Sequence, residues 1–175
     1  MDQKTLDDGS LNNSEELKHF LGKSPDIKIK ALANDFAAMS NEVLRLNIQA
    51  LELGHHILVF PQGTRSIHLT KGHMGLAQMA QRMGVDIVPI GCSGSDLCYP
   101  GAIPWARRGE ITYRIGEPIR VNSPSLSHLR VKDDFVPFSY QAQAQYSQRF
   151  QELTAIIMNR LNDLVDKPYQ FGKEE

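Results

Sequence analysis

The chain has little of what would commit it to a specialised chemistry. It carries two cysteines, Cys92 and Cys98, and one tryptophan among 175 residues. The two thiols are not closely paired and have no histidine at a ligand spacing, so no metal site is read from them. A disulfide would need an oxidising compartment, and no secretory leader is read ahead of the chain. Both cysteines are therefore expected to be small buried or half-buried residues of a cytoplasmic protein. No apolar run approaches the ~20 residues that span a bilayer, which leaves a soluble protein or one lying on a membrane surface. The formal net charge of −1 provides no basic field and argues against nucleic acid as a partner. Hydrophobic and charged fractions of 41% and 22% are ordinary, and the length suits one domain with a real core.

Against this plain background one stretch stands out, Ile57-Leu-Val-Phe-Pro-Gln-Gly-Thr-Arg-Ser66. An apolar run bounded by Pro and Gly reads as a buried strand, here His56 to Phe60. The residues after it then lie at the carboxyl end of a strand, where open α/β sheets hold ligands. Arg65 offers a planar fork of donors suited to phosphate or carboxylate. Gly63 allows close backbone approach, Thr64 and Ser66 add hydroxyls, and Gln62 adds a carboxamide. Lys71 reads equally well as a second cation for the same anion or as a solvated lysine at a helix start. The stretch reads as an anion cradle.

The rest of the chain suggests an α/β fold, with a mixed, largely parallel sheet flanked by helices. A helix is expected from Lys28 to Leu53, with Ile29, Leu32, Phe36, Met39, Val43, Leu46, Ala50 and Leu53 forming one buried stripe and Gly54 ending it. The strand at His56 to Phe60, a helix from Gly72 to Met83 and a strand at Asp86 to Gly91 would form a βαβ unit with parallel strands. Ser93 to Arg108 reads as an irregular loop, Glu110 to Ile115 as a third strand, and Ser123 to Tyr140 as a loop or linker. A last helix is expected from Gln141 to Val165, with Tyr146, Phe150, Leu153, Ile156, Ile157, Arg160, Leu161 and Leu164 on its buried face. Residues 1–27 form a polar extension, with a short helix near Ser14 to Leu21 capped by Ser14.

The block Phe60-Pro-Gln-Gly-Thr-Arg-Ser66 resembles the Phe-Pro-Glu-Gly-Thr-Arg-Ser motif of the glycerolipid acyltransferases, the family of lysophosphatidate and glycerol-3-phosphate acyltransferases. Gln62 stands where that family usually has Glu. Lys71-Gly72, Val85-Asp-Ile-Val-Pro-Ile90 and Gly109-Glu-Ile-Thr-Tyr-Arg-Ile-Gly-Glu-Pro-Ile119 resemble later blocks of the same domain. The resemblance covers its second half, over residues 28–121, with an extension through the last helix to Gln170. It implies acyl transfer from acyl-CoA or acyl carrier protein to a lysophosphatidate-type hydroxyl, in phospholipid biosynthesis. Gln62, Gly63, Thr64, Arg65, Ser66 and Lys71 would then hold the phosphate of the glycerol-phosphate lipid. No resident cofactor or metal is implied. Contact with the inner face of a membrane is implied, and Trp105 beside Arg107 and Arg108 would suit a headgroup region.

The family's catalytic Asn/Ser-His-x-x-x-x-Asp motif, in which His is the general base and Asp orients it, is not found ahead of the cradle. His19 is followed at that spacing by Ser24, and His55 and His56 by Phe60 and Pro61. Ser127-His-Leu-Arg-Val-Lys-Asp133 has the spacing but lies downstream, and reads as ordinary loop residues. Three readings stay open: an acyltransferase with an unseen base, a catalytically silent lipid-phosphate-binding module, and half of a split enzyme whose His-Asp comes from a complementing chain.

Overall fold

The two longest apolar periodicities of the sequence become the two long helices of the protein. A computed structural model describes residues 26–64, 66–101 and 105–172, with backbone only for 26–35 and 37. The helix expected near Ser14 to Leu21, and all but the end of the 1–27 extension, lie outside the described residues. In chain order the elements are α1 (Asp26–Glu52), α2 (Gly75–Met83), β1 (Ile90–Ser93), the single turn α3 (Ser95–Cys98), β2 (Thr112–Ile115) and α4 (Tyr140–Leu164). Two 3₁₀ turns, Pro124–Leu126 and Lys167–Tyr169, complete the set. The fold mixes α and β as expected. The described residues divide into two compact units, 26–57 with Phe135–Gln145, and Leu58–Asp134 with 146–172.

In the first unit α1 ends where its sequence says it should. Beyond its last turn the Gly54 N–H reaches Leu51 O at 2.9 Å and the His55 N–H reaches Ala50 O at 2.9 Å, closing orphan carbonyls. Local pairs brace its polar side: Arg45 meets Glu42 at 2.6 Å and reaches on to Gln49 at 3.3 Å. The expected burial of its apolar stripe is corrected. Phe36, Met39, Val43, Leu46 and Leu53 are all exposed, while Ser40 is buried. Periodicity generates the helix, but a stripe is buried only if another surface meets it, and the described residues do not cover this one.

The second unit is built on the rest of α4. Tyr146, Phe150, Leu153 and Ile157 are buried as the spacing predicts, with Phe150 0% exposed, Ile156, Leu161 and Leu164 are half-buried, and Met158 and Val165 are buried as well. Arg160, expected on that face, is exposed instead. Tyr146 and Phe150 meet edge to face with centroids 6.2 Å apart. From α2, Ala77, Gln78, Met79 and Ala80 are also buried, with Ile119, Val121, Leu129 and Val131.

The sheet departs most from expectation. β1 and β2 pair antiparallel, with Ile90 opposite Ile115, Gly91 opposite Arg114, Cys92 opposite Tyr113 and Ser93 opposite Thr112. Ile87 pairs with Ile119 in an isolated antiparallel bridge. Between the two pairings the second segment spends one residue more than the first, a bulge across Gly116-Glu-Pro118. The chain reverses because Gly94 lets the backbone run against the Glu110 carbonyl, where a side chain would collide.

Residues 56–60 are not a strand, so the expected parallel βαβ pair is absent among the described residues. Leu58 and Phe60 are 75% and 74% exposed. An apolar run is a buried strand only when neighbours supply both hydrogen bonds and cover, and no described strand pairs with it.

The hairpin also has reversed polarity. Side chains alternate across a strand, so Gly91, Ser93, Thr112 and Arg114 share one face, and Ile90, Cys92, Tyr113 and Ile115 the other. The first, polar face meets the end of α4. A Cβ on Gly91 would lie 2.7 Å from Leu164 Cβ, and Arg114 donates to Leu164 O at 3.2 Å and pairs with Asp166 at 2.7 Å. Apolar Ile115 and Tyr113, on the other face, are 72% and 65% exposed.

Gly91→Ala is therefore expected to lower stability by about 1–3 kcal/mol, because the backbone of Leu164 cannot move aside as a flexible side chain could. A lower urea midpoint at unchanged slope would show it. An unchanged midpoint would mean that Leu164 is not seated on the strand.

Candidate functional site

Pro61 to His73 forms a loop that closes on itself. The Gly63 N–H donates to Phe60 O at 3.0 Å, a turn that brings Gly63 to φ 68°, where a Cβ would be strained. The His73 N–H donates to Pro61 O at 2.8 Å and joins the two ends. Inside the loop the Gln62 amide nitrogen lies 2.9 Å from Ser66 Oγ, 2.9 Å from Thr70 Oγ1 and 3.4 Å from His68 O. Ser66 Oγ donates to His68 O at 2.7 Å.

These bonds settle the chemistry required at position 62. A serine hydroxyl has one proton, and that of Ser66 is committed to His68 O. Toward residue 62 it offers only lone pairs, so its partner must be a donor. The carboxamide nitrogen supplies one, and a carboxylate could not. Gln62 thus acts as the loop's internal clip, with its side chain turned inward.

Other contacts anchor the loop to the second unit. A Cβ on Gly72 would lie 2.7 Å from Met158 Sδ and 3.3 Å from Thr154 Cγ2, so the loop end rests on α4. The Leu69 N–H donates to Tyr169 O at 3.0 Å. The Tyr169 hydroxyl in turn binds Asp96, which holds the phenol above its usual range. Asp96 Oδ1 is buried with no hydrogen-bond partner among the described residues. The tail after α4 therefore ties the loop to the turn following β1.

Thr64, Ser66, Lys71 and His73 are exposed on the loop, with the His73 ring beside Gly63 at 3.4 Å from its Cβ position. Arg65 lies outside the described residues. Of the expected site residues, Gln62, Gly63, Thr64, Ser66 and Lys71 fall within one closed loop. Thr70 and Tyr169 were not anticipated: Thr70 because its role depends on the loop's curvature, and Tyr169 because it arrives from the far end of the chain.

The downstream His128 and Asp133 do not form a dyad. Asp133 Oδ2 accepts from the Tyr146 hydroxyl at 2.6 Å, and His128 is exposed. Cys92 lies opposite Tyr113, and Cys98 Sγ would be 2.7 Å from a Cβ on Gly109. Both thiols are free. Among the described residues no group of three or more His, Cys, Asp or Glu is placed to hold a metal ion, and no helix is long and apolar enough to cross a membrane. No family model, curated protein or solved structure matches the chain.

Gln62→Glu is expected to loosen the loop while leaving the core intact. Losing the donor that Ser66 Oγ requires should cost about 1 kcal/mol locally. Amide hydrogen exchange at Gly63, Leu69 and His73 should accelerate roughly fivefold at an unchanged global midpoint. Equal exchange in both proteins would show that the clip does not hold the loop.

The bond to Asp133 raises the Tyr146 hydroxyl above its ordinary value of 10.0, since its loss of a proton would set two anions together. The folded value lies above the unfolded one, so the bond's contribution to stability is full below pH 10 and lost as pH rises through the raised value. Titration at the phenolate absorbance should show late-ionising tyrosines, Tyr113, Tyr146 and Tyr169, of which one, Tyr146, shifts back down in Asp133→Asn. Tyrosines all unmoved by that change would remove the bond from solution.

Proposed function

We propose that this chain is a glycerolipid acyltransferase-like module that holds the phosphate of a lysophosphatidate-type lipid and lacks the base to activate its hydroxyl. The observation that supports the reading is the closed Pro61–His73 loop, which carries exposed Thr64, Lys71 and His73 together with the left-handed Gly63. Hydroxyls and cations around a turn of this kind are what a phosphate recruits. Arg65 sits in sequence between two of those positions and would supply the bidentate contact. The acyl donor would be acyl-CoA or acyl carrier protein.

The chemistry is argued from what the histidines do. A general base must come within hydrogen-bond reach of the acceptor and be oriented by a carboxylate, and its loss typically costs ~10²–10⁴-fold in rate. Asp133, the one carboxylate at the family spacing from a histidine, is engaged by Tyr146.

A second reading, half of a split enzyme, is favoured by one specific observation. The apolar outer face of the hairpin and the exposed run at Leu58 and Phe60 are both surfaces that a sheet with helices on each side would cover. In that arrangement residues 56–60 would be a strand of a largely parallel sheet, and a complementing chain would bring its neighbour and the His-Asp pair. Trp105, exposed near Arg107 and Arg108, supports peripheral contact with a membrane surface.

Lysophosphatidate titrated into the intact chain should bind, and Arg65→Ala should weaken that binding about tenfold or more, as loss of a charge-assisted bidentate pair does. Free thiol released from acyl-CoA in the same mixture should stay at background. Turnover well above background that survives His128→Ala would overturn the silent reading and point to another base. Turnover abolished by His128→Ala would reinstate the downstream motif.

A further inference from the structure

Away from the loop, an open cavity of about 260 Å³ lies between the Glu117–Arg120 segment, the 3₁₀ turn at Pro124–Leu126 and α4. Its apolar part is Pro118, Ile119, Leu126 and Ile156, and its polar part includes Arg120, Arg160, Ser123 and Ser125. Ile156 and Arg160 are four apart and share one side of α4. Thr154 and Met158, which carry the loop, lie two residues away on the helix and so about 200° round it. The cavity and the phosphate loop therefore address different sides of the same helix.

We propose that this cavity binds a phosphomonoester carrying a short apolar stem. Neither Arg120 nor Arg160 forms an ion pair among the described residues, although both line the same hollow. Arg120 and Arg160 both line the hollow, against the single carboxylate of Glu117, so its lining carries an excess of positive charge that an anion would neutralise. Their joint charge matches a phosphate dianion better than a single carboxylate.

The hydroxyls add a defined donor. Ser123 Oγ and Ser125 Oγ are 2.9 Å apart and share one hydrogen bond, which uses one of their two protons. The other proton is free for a ligand. Ile119 is buried and Leu126 and Ile156 are half-buried, so a stem of a few carbons would lie on apolar surface. The volume equals that of roughly eight or nine waters at ~30 Å³ each, room for a phosphate and a short chain. Glu117, also in the lining, would accept from a ligand hydroxyl.

The test uses the intact chain carrying Arg65→Ala, which weakens the loop's own phosphate binding, and titrates hexyl phosphate and inorganic phosphate by calorimetry. Hexyl phosphate should bind more tightly than inorganic phosphate. Adding Arg120→Gln and Arg160→Gln should weaken it about tenfold or more, and affinity should fall as pH drops through about 6, where the dianion takes up a proton. Both arginines are exposed, so the variant is expected to keep the parent's thermal midpoint.

Co-sedimentation with phosphatidylcholine vesicles, with and without phosphatidate, separates the two sources of this chemistry. Capture by phosphatidate that the arginine changes abolish assigns the cavity to a lipid headgroup, whereas binding of hexyl phosphate without capture assigns it to a free phosphomonoester. Absence of hexyl phosphate binding in the Arg65→Ala chain, or binding indifferent to the two arginines, would overturn the proposal and leave the loop reading untouched.

Discussion

The second unit depends on how closely one helix is approached by chain that has no side chain to offer. Gly72, Gly91 and Gly116 each run against α4, where a Cβ would lie within 2.7 to 2.9 Å of Met158 or Leu164. Gly72 ends the candidate loop, and Gly91 and Gly116 belong to the hairpin. Loop and sheet are thus both placed relative to the stretch of α4 from Thr154 to Leu164, about 15 Å at 1.5 Å per residue. The tail beyond α4 repeats the arrangement, since Tyr169 holds Leu69 by its carbonyl and Asp96 by its hydroxyl. The loop is held at Pro61, Leu69 and Gly72.

Close approach to α4 also explains the hairpin's reversed polarity. The helix end presents a carbonyl, Leu164 O, and a carboxylate, Asp166, which call for donors and small residues rather than apolar bulk. Arg114 supplies the donors, and Ser93, small enough to fit there, accepts from the Asp166 N–H at 3.0 Å. The apolar residues are consequently displaced to the outer face. Fully covering a side chain such as Ile or Tyr is worth roughly 1.5–3 kcal/mol, so Ile90, Tyr113 and Ile115 together favour whatever can lie over them. A two-stranded ribbon is marginal by itself. Here it is held from the polar side and remains available on the apolar one.

Helices were legible in the sequence because their signal is local. Spacing at three and four placed α1 and α4 to within a residue or two, and Gly54 marked the stop. Whether a stripe is buried is a different question, and α1 shows why: Phe36 and Leu46 repeat correctly and still face solvent. The same gap separates the apolar run at 56–60 from an actual strand, since pairing is decided by a neighbour that the run does not encode. The antiparallel return of β2 hinged on the Gly94 to Glu110 contact, invisible to any pattern of apolar residues. Within the loop, the motif told which residues belong together, but not that Gln62 faces inward. That followed only once the single proton of Ser66 had been assigned.

Gln62 also bears on what such a loop can and cannot do for chemistry. Hydroxyls and cations that grip a phosphate grip it as well before reaction as at the transition state, because the charge on phosphate does not change when a distant hydroxyl is acylated. Uniform binding of that kind lowers the concentration of lipid needed and does nothing for the chemical step. Differential stabilisation has to come from a group that responds to the hydroxyl losing its proton, and such a group must be oriented. Asp133 spends its oriented bond on Tyr146. Position 62, where an acid would bring charge to the cradle, instead carries an amide whose hydrogens are used to keep the loop closed. Under the proposed reading, a chain built this way would hold a phosphate-bearing lipid, and would become a catalyst only if a second surface delivered the base to the hydroxyl it holds.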